Sequence, residues 1–390
     1  MSLNIDKSAW KRVVFGDVVG NVNETVRNTD AAGIDRIIAM EHLDPGELKI
    51  SRWGSTDTGT TFTRRVKPGQ TLFGKRRAYQ RKVAYAEFDA ICSGDIYTFE
   101  ADETQMLGEL LPFLVQSNGF LDHALGTSVG SLSPRTNWRD LTNFKFDLPP
   151  LDEQERIADL LWAIEAHRLQ IQSELSLVRD ERIRLIDRLV DAAIAAKAVP
   201  LSDVAEIRGG VQKGKAVKGI SVERPYLAVS NVQAGRVDLT TIKTMSVSEA
   251  DAERFALRHG DVLMTEGGDI DKLGRGTVWQ AEIPDCLHQN HVFAVRTVRS
   301  AVLPEWIGIH TESTHGRAYF RVAAKRTSNL ASVNKTQVSN FPVGRLSLDD
   351  QTSAVKRVGV ADGAIRALVE ELATLTTMAL SISAQVFGGA

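Results

Sequence analysis

A cluster of basic side chains in the first third of the chain is the group best placed to bind a charged partner. Between Arg64 and Lys82 the sequence contains no Asp or Glu. Like charges at this density repel one another unless an anion neutralises them, so the run predicts contact with DNA phosphates. A solvated charged surface is the alternative reading. The predicted contacts are Arg64, Arg65, Lys67, Lys75, Arg76, Arg77, Tyr79, Arg81 and Lys82.

The second half of the chain has a looser set of basic and amide side chains. Arg and Asn can form paired hydrogen bonds with guanine and adenine edges, whereas Lys, Ser and Thr more often hold phosphate. We therefore predict DNA contacts here as well, although the spacing does not say which side chains read bases. The predicted contacts are Lys213, Lys215, Lys325, Arg326, Asn329, Asn334 and Lys335.

Strings that look like catalytic or cofactor motifs are incomplete. Residues 209–216 approach a phosphate-binding loop, but Ala216 replaces the hydroxyl that would hold magnesium. Cys286, His288 and His291 have no second pair of ligands close by in the sequence, so we expect strand residues rather than a metal site. We also find no carboxylate–lysine or Asn-Pro-Pro-aromatic cluster typical of a nuclease or a methyltransferase. The sequence therefore predicts no catalytic residue and no bound metal.

Length and composition describe a folded protein with more than one domain. The chain has 390 residues, with 43% apolar and 25% charged side chains. Two cysteines, a polar start and the lack of a long uninterrupted apolar stretch lead us to expect a cytoplasmic protein without a membrane span. The net charge of −2 is an argument against nucleic-acid binding. The argument is weak, because acidic helices can mask locally basic surfaces.

The chain contains a long internal repeat. Segments of the first half match segments of the second half in the same order, from Asp17 with Asp203 to Gln154 with Gln351. Each copy starts with about 150 residues of mixed character, in which short alternating runs are separated by Gly, Asp and Asn turns. In each copy, a long helical pattern follows this mixed region. The repeat predicts one α+β architecture used twice.

The two helical patterns have apolar residues at alternating three- and four-residue steps, which is a heptad seam. A helix of about 40 residues would be roughly 60 Å long and would need a partner to bury that seam. We predict that the two helices pair with each other; packing of each on its own domain is the alternative. The predicted seam residues are Ile157, Leu161, Ile164, Ile171, Leu175, Val178, Ile365, Val369 and Leu372.

The segment from Phe144 to Ala158 reads FKFDLPPLDEQERIA, and a long helix and a second copy of the same plan follow it. This arrangement resembles the specificity subunits of type I restriction–modification enzymes. The turn Gly260-Asp261-Val262-Leu263, matched by Gly69-Gln70-Thr71-Leu72, supports the resemblance. The second copy departs from the pattern, since its helix entry lacks the two prolines and has Asp350 in place of Glu153.

The resemblance implies two tandem target-recognition domains in a pseudo-two-fold arrangement, separated by two long helices that form an antiparallel coiled coil. Each domain would read one half of a split double-stranded DNA site. The helices would set the gap and dock methyltransferase subunits, two of them by expectation, and endonuclease/translocase subunits would complete the enzyme. S-adenosylmethionine, ATP and magnesium are expected only on those partners.

The resemblance and the helical patterns together predict target-recognition domains at residues 1–150 and 198–346, with spacer helices at 151–197 and 347–390. Two other functions remain open from the sequence. One is a coiled-coil adaptor that binds no DNA, which would leave the basic run around Arg76 unexplained. The other is the recognition module of a self-contained nuclease or methyltransferase.

Overall fold

The computed structural model describes residues 6–130, 132–214, 219–269, 273–326 and 331–388. The chain divides into two compact units. Unit 1 contains Met1–Gln172 together with Glu370–Ala390, and unit 2 contains Ser173–Val369. Both units mix short strands with helices, as the α+β prediction requires. Because the division cuts through both long helices, it does not follow the four predicted segments, and their exact limits stay a prediction.

Unit 1 has short helices packed against sheets in which β3 and β8 pair in parallel and the other described strand pairs are antiparallel. Its helices are α1 (Phe15–Val18), α2 (Leu111–Gln116), α3 (Asn118–Gly126) and α4 (Trp138–Leu141). Its strands are β1 (Lys11–Val14), β2 (Val19–Val22), β3 (Arg36–Ile38), β4 (Gly54–Ser55), β5 (Arg64–Val66), β6 (Thr71–Gly74), β7 (Val83–Tyr85), β8 (Ala90–Cys92), β9 (Ile96–Ala101) and β10 (Lys145–Leu148).

Unit 2 repeats this plan with additional short strands. Its helices besides the long ones are α6 (Glu249–Phe255), α7 (Pro304–Glu312), α8 (Thr314–Ala323) and α9 (Lys335–Ser339). Its strands are β11 (Ala198–Pro200), β12 (Ala205–Arg208), β13 (Ser221–Leu227), β14 (Val232–Gln233), β15 (Arg236–Val237), β16 (Lys243–Ser248), β17 (Val262–Thr265), β18 (Gly267–Gly268), β19 (Gly276–Val278), β20 (Leu287–His288), β21 (Val292–Thr297), β22 (Lys325–Arg326), β23 (Ala331–Ser332) and β24 (Pro342–Gly344).

The main sheet has the same strand order in both units. It is β2-β9-β6-β7 in unit 1 and β12-β21-β17-β19 in unit 2. Leu72 pairs with Ala84 in the first sheet, and Leu263 pairs with Thr277 in the second. All four residues of β6 and all four of β17 are buried, which explains why these two runs are apolar without a clear alternation. The internal repeat is therefore a repeat of topology as well as of sequence.

The two long helices predicted from the heptad pattern are confirmed as α5 (Leu151–Ala196) and α10 (Leu348–Phe387). In unit 1, the start of α5 and the end of α10 share one core, in which Leu161 and Val386 are each 1% exposed. In unit 2, Val190 at the end of α5 shares a core with Val358 near the start of α10. In each unit the two helices also pack on the sheet domain, so both of the packing modes considered from the sequence occur.

The pairing is antiparallel within each unit. In unit 1, His167 lies 3.1 Å from Glu371 (Nε2 to Oε1), whereas the earlier turns of α5 pack with the last turns of α10. Most predicted seam positions are buried or half-buried: Ile157, Leu161, Ile164, Ile171, Leu175, Val178, Ile365 and Leu372. Val369 is 44% exposed, while the adjacent Leu368 is half-buried. The seam was predicted one residue out of phase there, because Val and Leu at neighbouring positions fit a heptad equally well.

A buried glutamine joins each long helix to its domain. Gln154, in the first turn of α5, accepts a hydrogen bond from Leu107 N at 2.9 Å and donates to Gln105 O and Pro149 O at 2.8 Å each. Gln351, in the first turn of α10, accepts from Leu303 N at 2.8 Å and donates to Ala301 O and Leu346 O. The matched Gln in the two sequence copies therefore performs the same structural task.

The long helix of the second copy, α10, begins differently from α5. Ser347 precedes α10, and its Oγ accepts a hydrogen bond from Asp350 N at 3.1 Å. The same hydroxyl donates to the Asp350 carboxylate at 2.6 Å. A serine cap of this kind satisfies one of the free N–H groups of the first turn. It takes over the role that Pro149 and Pro150 have at the start of α5.

Gln154→Met should destabilise unit 1, because the change keeps the side-chain length but leaves Leu107 N, Gln105 O and Pro149 O without this partner. A buried polar group that loses its partner costs about 1–3 kcal/mol. Glu155→Met is the matched control, since residue 155 is exposed and adjacent. Urea unfolding measures both variants. Equal free energies of unfolding for the two would contradict the role given to Gln154.

Candidate nucleic-acid interface

Most of the predicted basic cluster falls on the connection between β6 and β7, which we call the basic turn (residues 74–82). A short 3-10 turn, Ala78–Gln80, lies at its centre. Arg77 and Arg81, on either side of it, have left-handed backbones with φ of 57° and 53°. That conformation costs a side-chain-bearing residue about 1 kcal/mol or more, and glycine would avoid the cost. The turn therefore retains two arginines in a conformation that glycine would adopt more easily, which points to a role for their guanidinium groups.

A second loop supports the basic turn from one side. Arg77 N donates to Pro134 O at 2.8 Å, and Thr136 N donates to Lys75 O at 2.9 Å. Ser133 Oγ accepts from Arg76 Nε at 2.8 Å and from Arg77 Nε at 3.2 Å. These contacts fix the positions of the two guanidinium groups, which stay on an exposed surface.

Arg135 is a basic residue of this surface that sequence reasoning missed. Its side chain is 58% exposed and lies 3.1 Å from Asp95 (Nη2 to Oδ1). Asp95 also lies 3.6 Å from Arg76 Nη1. Arg135 is separated from the basic turn by more than 50 residues of sequence, so its position could only have been inferred from the fold.

The inference that no carboxylate neutralises the basic run is wrong. Arg65 forms ion pairs with Asp89 at 2.9 Å and with Glu24 at 3.0 Å, and Lys67 lies 2.6 Å from Glu24. Hydrogen bonds from Lys67 and Arg65 lower the pKa of the Glu24 carboxyl. The carboxylates come from segments that are distant in sequence but adjacent in the sheet. Charge repulsion is thus no argument for DNA contact at Arg65 and Lys67.

Three other members of the run are held close to the domain. Lys82 Nζ donates to Met40 O at 2.5 Å, and Arg64 Nη1 donates to Asn21 Oδ1 at 3.3 Å. Lys75 Nζ lies 4.8 Å from the centre of the Tyr97 ring. Burial, and then the nearby charge of Arg64, lower the pKa of the Lys75 ammonium. A partly desolvated ammonium of this kind gains from an added anion.

The exposed side chains of the basic turn include Arg76, Arg77, Tyr79 and Arg81. Tyr79 is 53% exposed, and Arg76 is 44% exposed at its side chain. Arg81 Nη1 donates to Asn118 Oδ1 at 2.8 Å. Guanidinium groups and an exposed aromatic ring on one turn can bind phosphate, stack on a base, or read a guanine edge.

Unit 2 has an equivalent surface at the connection between β17 and β19 (residues 266–275), of which 266–269 and 273–275 are among the described residues. Glu266 N donates to His291 O at 3.0 Å, and the matching bond in unit 1 joins Lys75 N to Asp95 O at 3.0 Å. Here the supporting loop contains the paired strands β22 and β23, and β23 also pairs with β18. The charges differ at this equivalent position, because unit 2 has Glu266 and His291, with His291 Nδ1 2.7 Å from Glu266 Oε2, where unit 1 has Lys75 and Asp95.

The predicted contacts of unit 2 are distributed unevenly over this surface. Lys325 lies on β22 and is exposed, and Lys335 is exposed at the start of α9. Lys213 is exposed in a turn after β12. Asn334 caps α9, since its side chain accepts a hydrogen bond from Gln337 N at 2.9 Å. Lys215 and Asn329 lie outside the described residues, as does the side chain of Arg326.

The cysteine and histidine residues that were considered for a metal site have structural roles. His288 is buried, its Nδ1 lies 2.6 Å from Val292 O, and burial lowers its pKa to about 4. Burial raises the pKa of the Cys286 thiol to about 12. Within the part of the chain that the structure describes, no group of three or more His, Cys, Asp or Glu side chains could hold a metal ion.

Known proteins with similar sequences belong to one family. Residues 35–177 match the family model described as the type I restriction modification DNA specificity domain. The specificity subunit of the type I restriction enzyme EcoKI from Escherichia coli K12 is 25% identical over 324 residues, which cover 75% of this chain and 69% of that protein. The EcoDI specificity subunit from Escherichia coli is 27% identical over 36% of this chain and 31% of its own length.

Solved structures of the same fold cover the whole chain. The S subunit of a type I restriction–modification system from M. genitalium matches with a TM-score of 0.62 and 13% identity, over 100% of both chains. A chain solved in work on complex assembly and conformational transition of the type I R-M system matches with a TM-score of 0.59 and 17% identity, over 98% of both chains. The family resemblance is confirmed. The α+β domains and long helices of this chain share the fold of a type I S subunit.

Arg77→Gly should raise the stability of this protein by up to about 1 kcal/mol, because glycine relieves the left-handed conformation. Arg65→Gly is the comparison, since it removes both ion pairs from a strand and should lower stability. Thermal unfolding of the full chain measures both changes. A loss of stability in Arg77→Gly would show that Arg77 serves the fold, and the functional argument from its conformation would fail.

Proposed function

We propose that this chain is the DNA-recognition subunit of a type I restriction–modification enzyme. In this proposal each unit reads one half of a split double-stranded site. The observation that carries it is the basic turn, in which Arg77 and Arg81 keep strained backbones at an exposed surface. The equivalent surface of unit 2 presents Lys325 and Lys335. An adaptor that binds no DNA would not explain why arginines occupy the strained positions 77 and 81.

The basic turn offers separate means of holding and reading a duplex. Lys75 is a compact charge beside the domain and suits phosphate contact. Arg76 and Arg77 have planar groups that can form two parallel bonds with a guanine edge. Phosphate contacts fix the register on the duplex, and only base-edge contacts carry sequence information.

The different charges at the equivalent positions of the two units support different half-sites. Unit 1 has Lys75 where unit 2 has Glu266. A lysine at a groove suits phosphate or guanine, whereas a carboxylate is repelled by phosphate and can accept a hydrogen bond from cytosine N4. Two surfaces with opposite charge at the same structural position would therefore not read the same sequence.

The exposed apolar surface of α10 supports the docking of partner subunits. Val360 is 69% exposed, Leu380 is 59% exposed, and Leu177 on α5 is 64% exposed. One window of α10 has a mean hydropathy of 1.2, so the helix is long and apolar enough to span a membrane. A single such helix among the described residues is weak evidence for a membrane span. Exposed apolar side chains on these helices can be covered by a partner chain in an assembly.

The partners in this proposal are methyltransferase subunits, two of them by the internal repeat, and endonuclease/translocase subunits. The chain itself is not an enzyme, and it binds no cofactor. S-adenosylmethionine, ATP and magnesium would be bound by the partners, which perform methylation and cleavage. The complex would act in the cytoplasm, where the two buried thiols of Cys92 and Cys286 stay reduced.

Arg77→Gly should weaken binding of the complex to its cognate duplex by about 1–3 kcal/mol, or about 5- to 150-fold, if Arg77 reads a base. If it holds phosphate, binding to every duplex should weaken and the salt slope should fall by about 0.9. Arg12→Ala is the control, because Arg12 is an exposed arginine of unit 1 outside the basic turn. Fluorescence anisotropy over a salt series separates the two modes. Unchanged binding and slope in Arg77→Gly and Arg76→Ala together would contradict the proposed interface.

A further inference from the structure

Unit 2 contains a cavity of about 310 Å³ that is bordered by three arginines. Arg317 and Arg321 lie one turn apart on α8, and Arg275 lies directly before β19. Thr311 and Glu312 at the end of α7 also line the cavity. We call it the arginine pocket. Arg317 and Arg321 precede Lys325 in a basic run of the sequence, whereas Arg275 lies outside that run.

The positive charge of the arginine pocket is only partly balanced. Arg275 Nη1 donates to the neutral amide oxygen of Gln233 at 3.0 Å. Glu312 is the carboxylate of the pocket, and its Oε2 already lies 2.7 Å from Arg182 Nη1 on α5. Arg317 and Arg321 are exposed, and neither forms a side-chain hydrogen bond or an ion pair with another described residue.

The spacing of Arg317 and Arg321 is unfavourable for the helix alone. Like charges four residues apart on one helix face repel each other. An anion between them would turn this repulsion into attraction. The planar guanidinium group matches the geometry of phosphate oxygens and can bind two of them at once.

We propose that the arginine pocket binds a phosphate group. Arg275 ends the 266–275 connection, which is the proposed DNA-reading surface of unit 2, so a backbone phosphate of the second half-site is the source that fits best. That assignment rests on the proposed function. A small phosphorylated ligand has the same chemistry and is the other source, which the experiment distinguishes.

The corresponding place in unit 1 lacks these charges. Helix α3, which matches α8, has the sequence NGFLDHALG without Arg or Lys. Lys82, which precedes β7 as Arg275 precedes β19, is bound to Met40 O. The phosphate contact should therefore belong to unit 2 alone and should affect only one half-site.

The test compares Arg317→Ala, Arg321→Ala and the double variant with Arg254→Ala. Arg254 is an exposed arginine on α6 of the same unit and lies outside the pocket. The full chain is used with its methyltransferase partners, and duplex binding is measured over a salt series. Each pocket variant should reduce the salt slope by about 0.9, and the control should leave it unchanged. The variant Arg317→Lys/Arg321→Lys should keep the slope but bind less tightly, because lysine keeps charge without the planar fork.

A second measurement uses inorganic phosphate against chloride at equal ionic strength and follows the melting temperature of the full chain. A phosphate-specific rise in wild type that the double variant loses, with an unchanged duplex slope, assigns the pocket to a small phosphorylated ligand. An unchanged slope and an unchanged phosphate response together overturn the proposal. If the wild-type complex binds no duplex, the proposed function fails, and the phosphate measurement still decides whether the pocket binds phosphate.

Discussion

Each long helix begins with a buried glutamine whose amide is bonded on both its oxygen and its nitrogen to the backbone of the adjoining domain. Gln154 and Gln351 are 0% and 1% exposed. An amide in that position fixes where its helix starts and how the helix is rotated about its own axis. Rotation of the helix would leave buried backbone groups without hydrogen-bond partners. The heptad seam and the domain core meet correctly only when this rotation is kept.

Buried arginines on α5 reinforce the same connection farther along the helix. Arg168 lies between Glu47 of the unit 1 sheet domain and Glu165, and the hydrogen bonds that it donates to Glu165 and Glu47 raise the pKa of its guanidinium group. In unit 2, Arg182 joins Glu312 to Asp362. Charges at such depth are stabilising only when paired, so these contacts hold a defined geometry more than they add stability.

The sequence predicted the structural elements correctly where a pattern is local or repeated. It was misleading about ion pairs, because the fold brings together charged residues that are distant in sequence. The presence of α5 and α10 followed from the heptad pattern of each copy, although polar residues such as Asp362 interrupt the second pattern. The role of Gln154 was signalled by its match with Gln351. Pairing of Arg65 with Glu24 and Asp89 could not be foreseen, because a sheet brings together residues far apart in sequence. Arg135, and the position of Arg275 beside Arg317 and Arg321, were missed for the same reason. Val369 was placed one residue out of phase, since two adjacent apolar residues leave the seam ambiguous.

Genome-wide mapping of methylated bases in cells that carry the complete enzyme tests the central claim most directly. The account predicts one split motif with two defined halves separated by undefined bases. It further predicts that replacing Arg76, Arg77 and Arg81 in the basic turn relaxes or abolishes recognition of one half while the other half stays defined. An undivided motif in wild type, or a loss of definition shared equally by both halves, would contradict the assignment of one half-site to each unit.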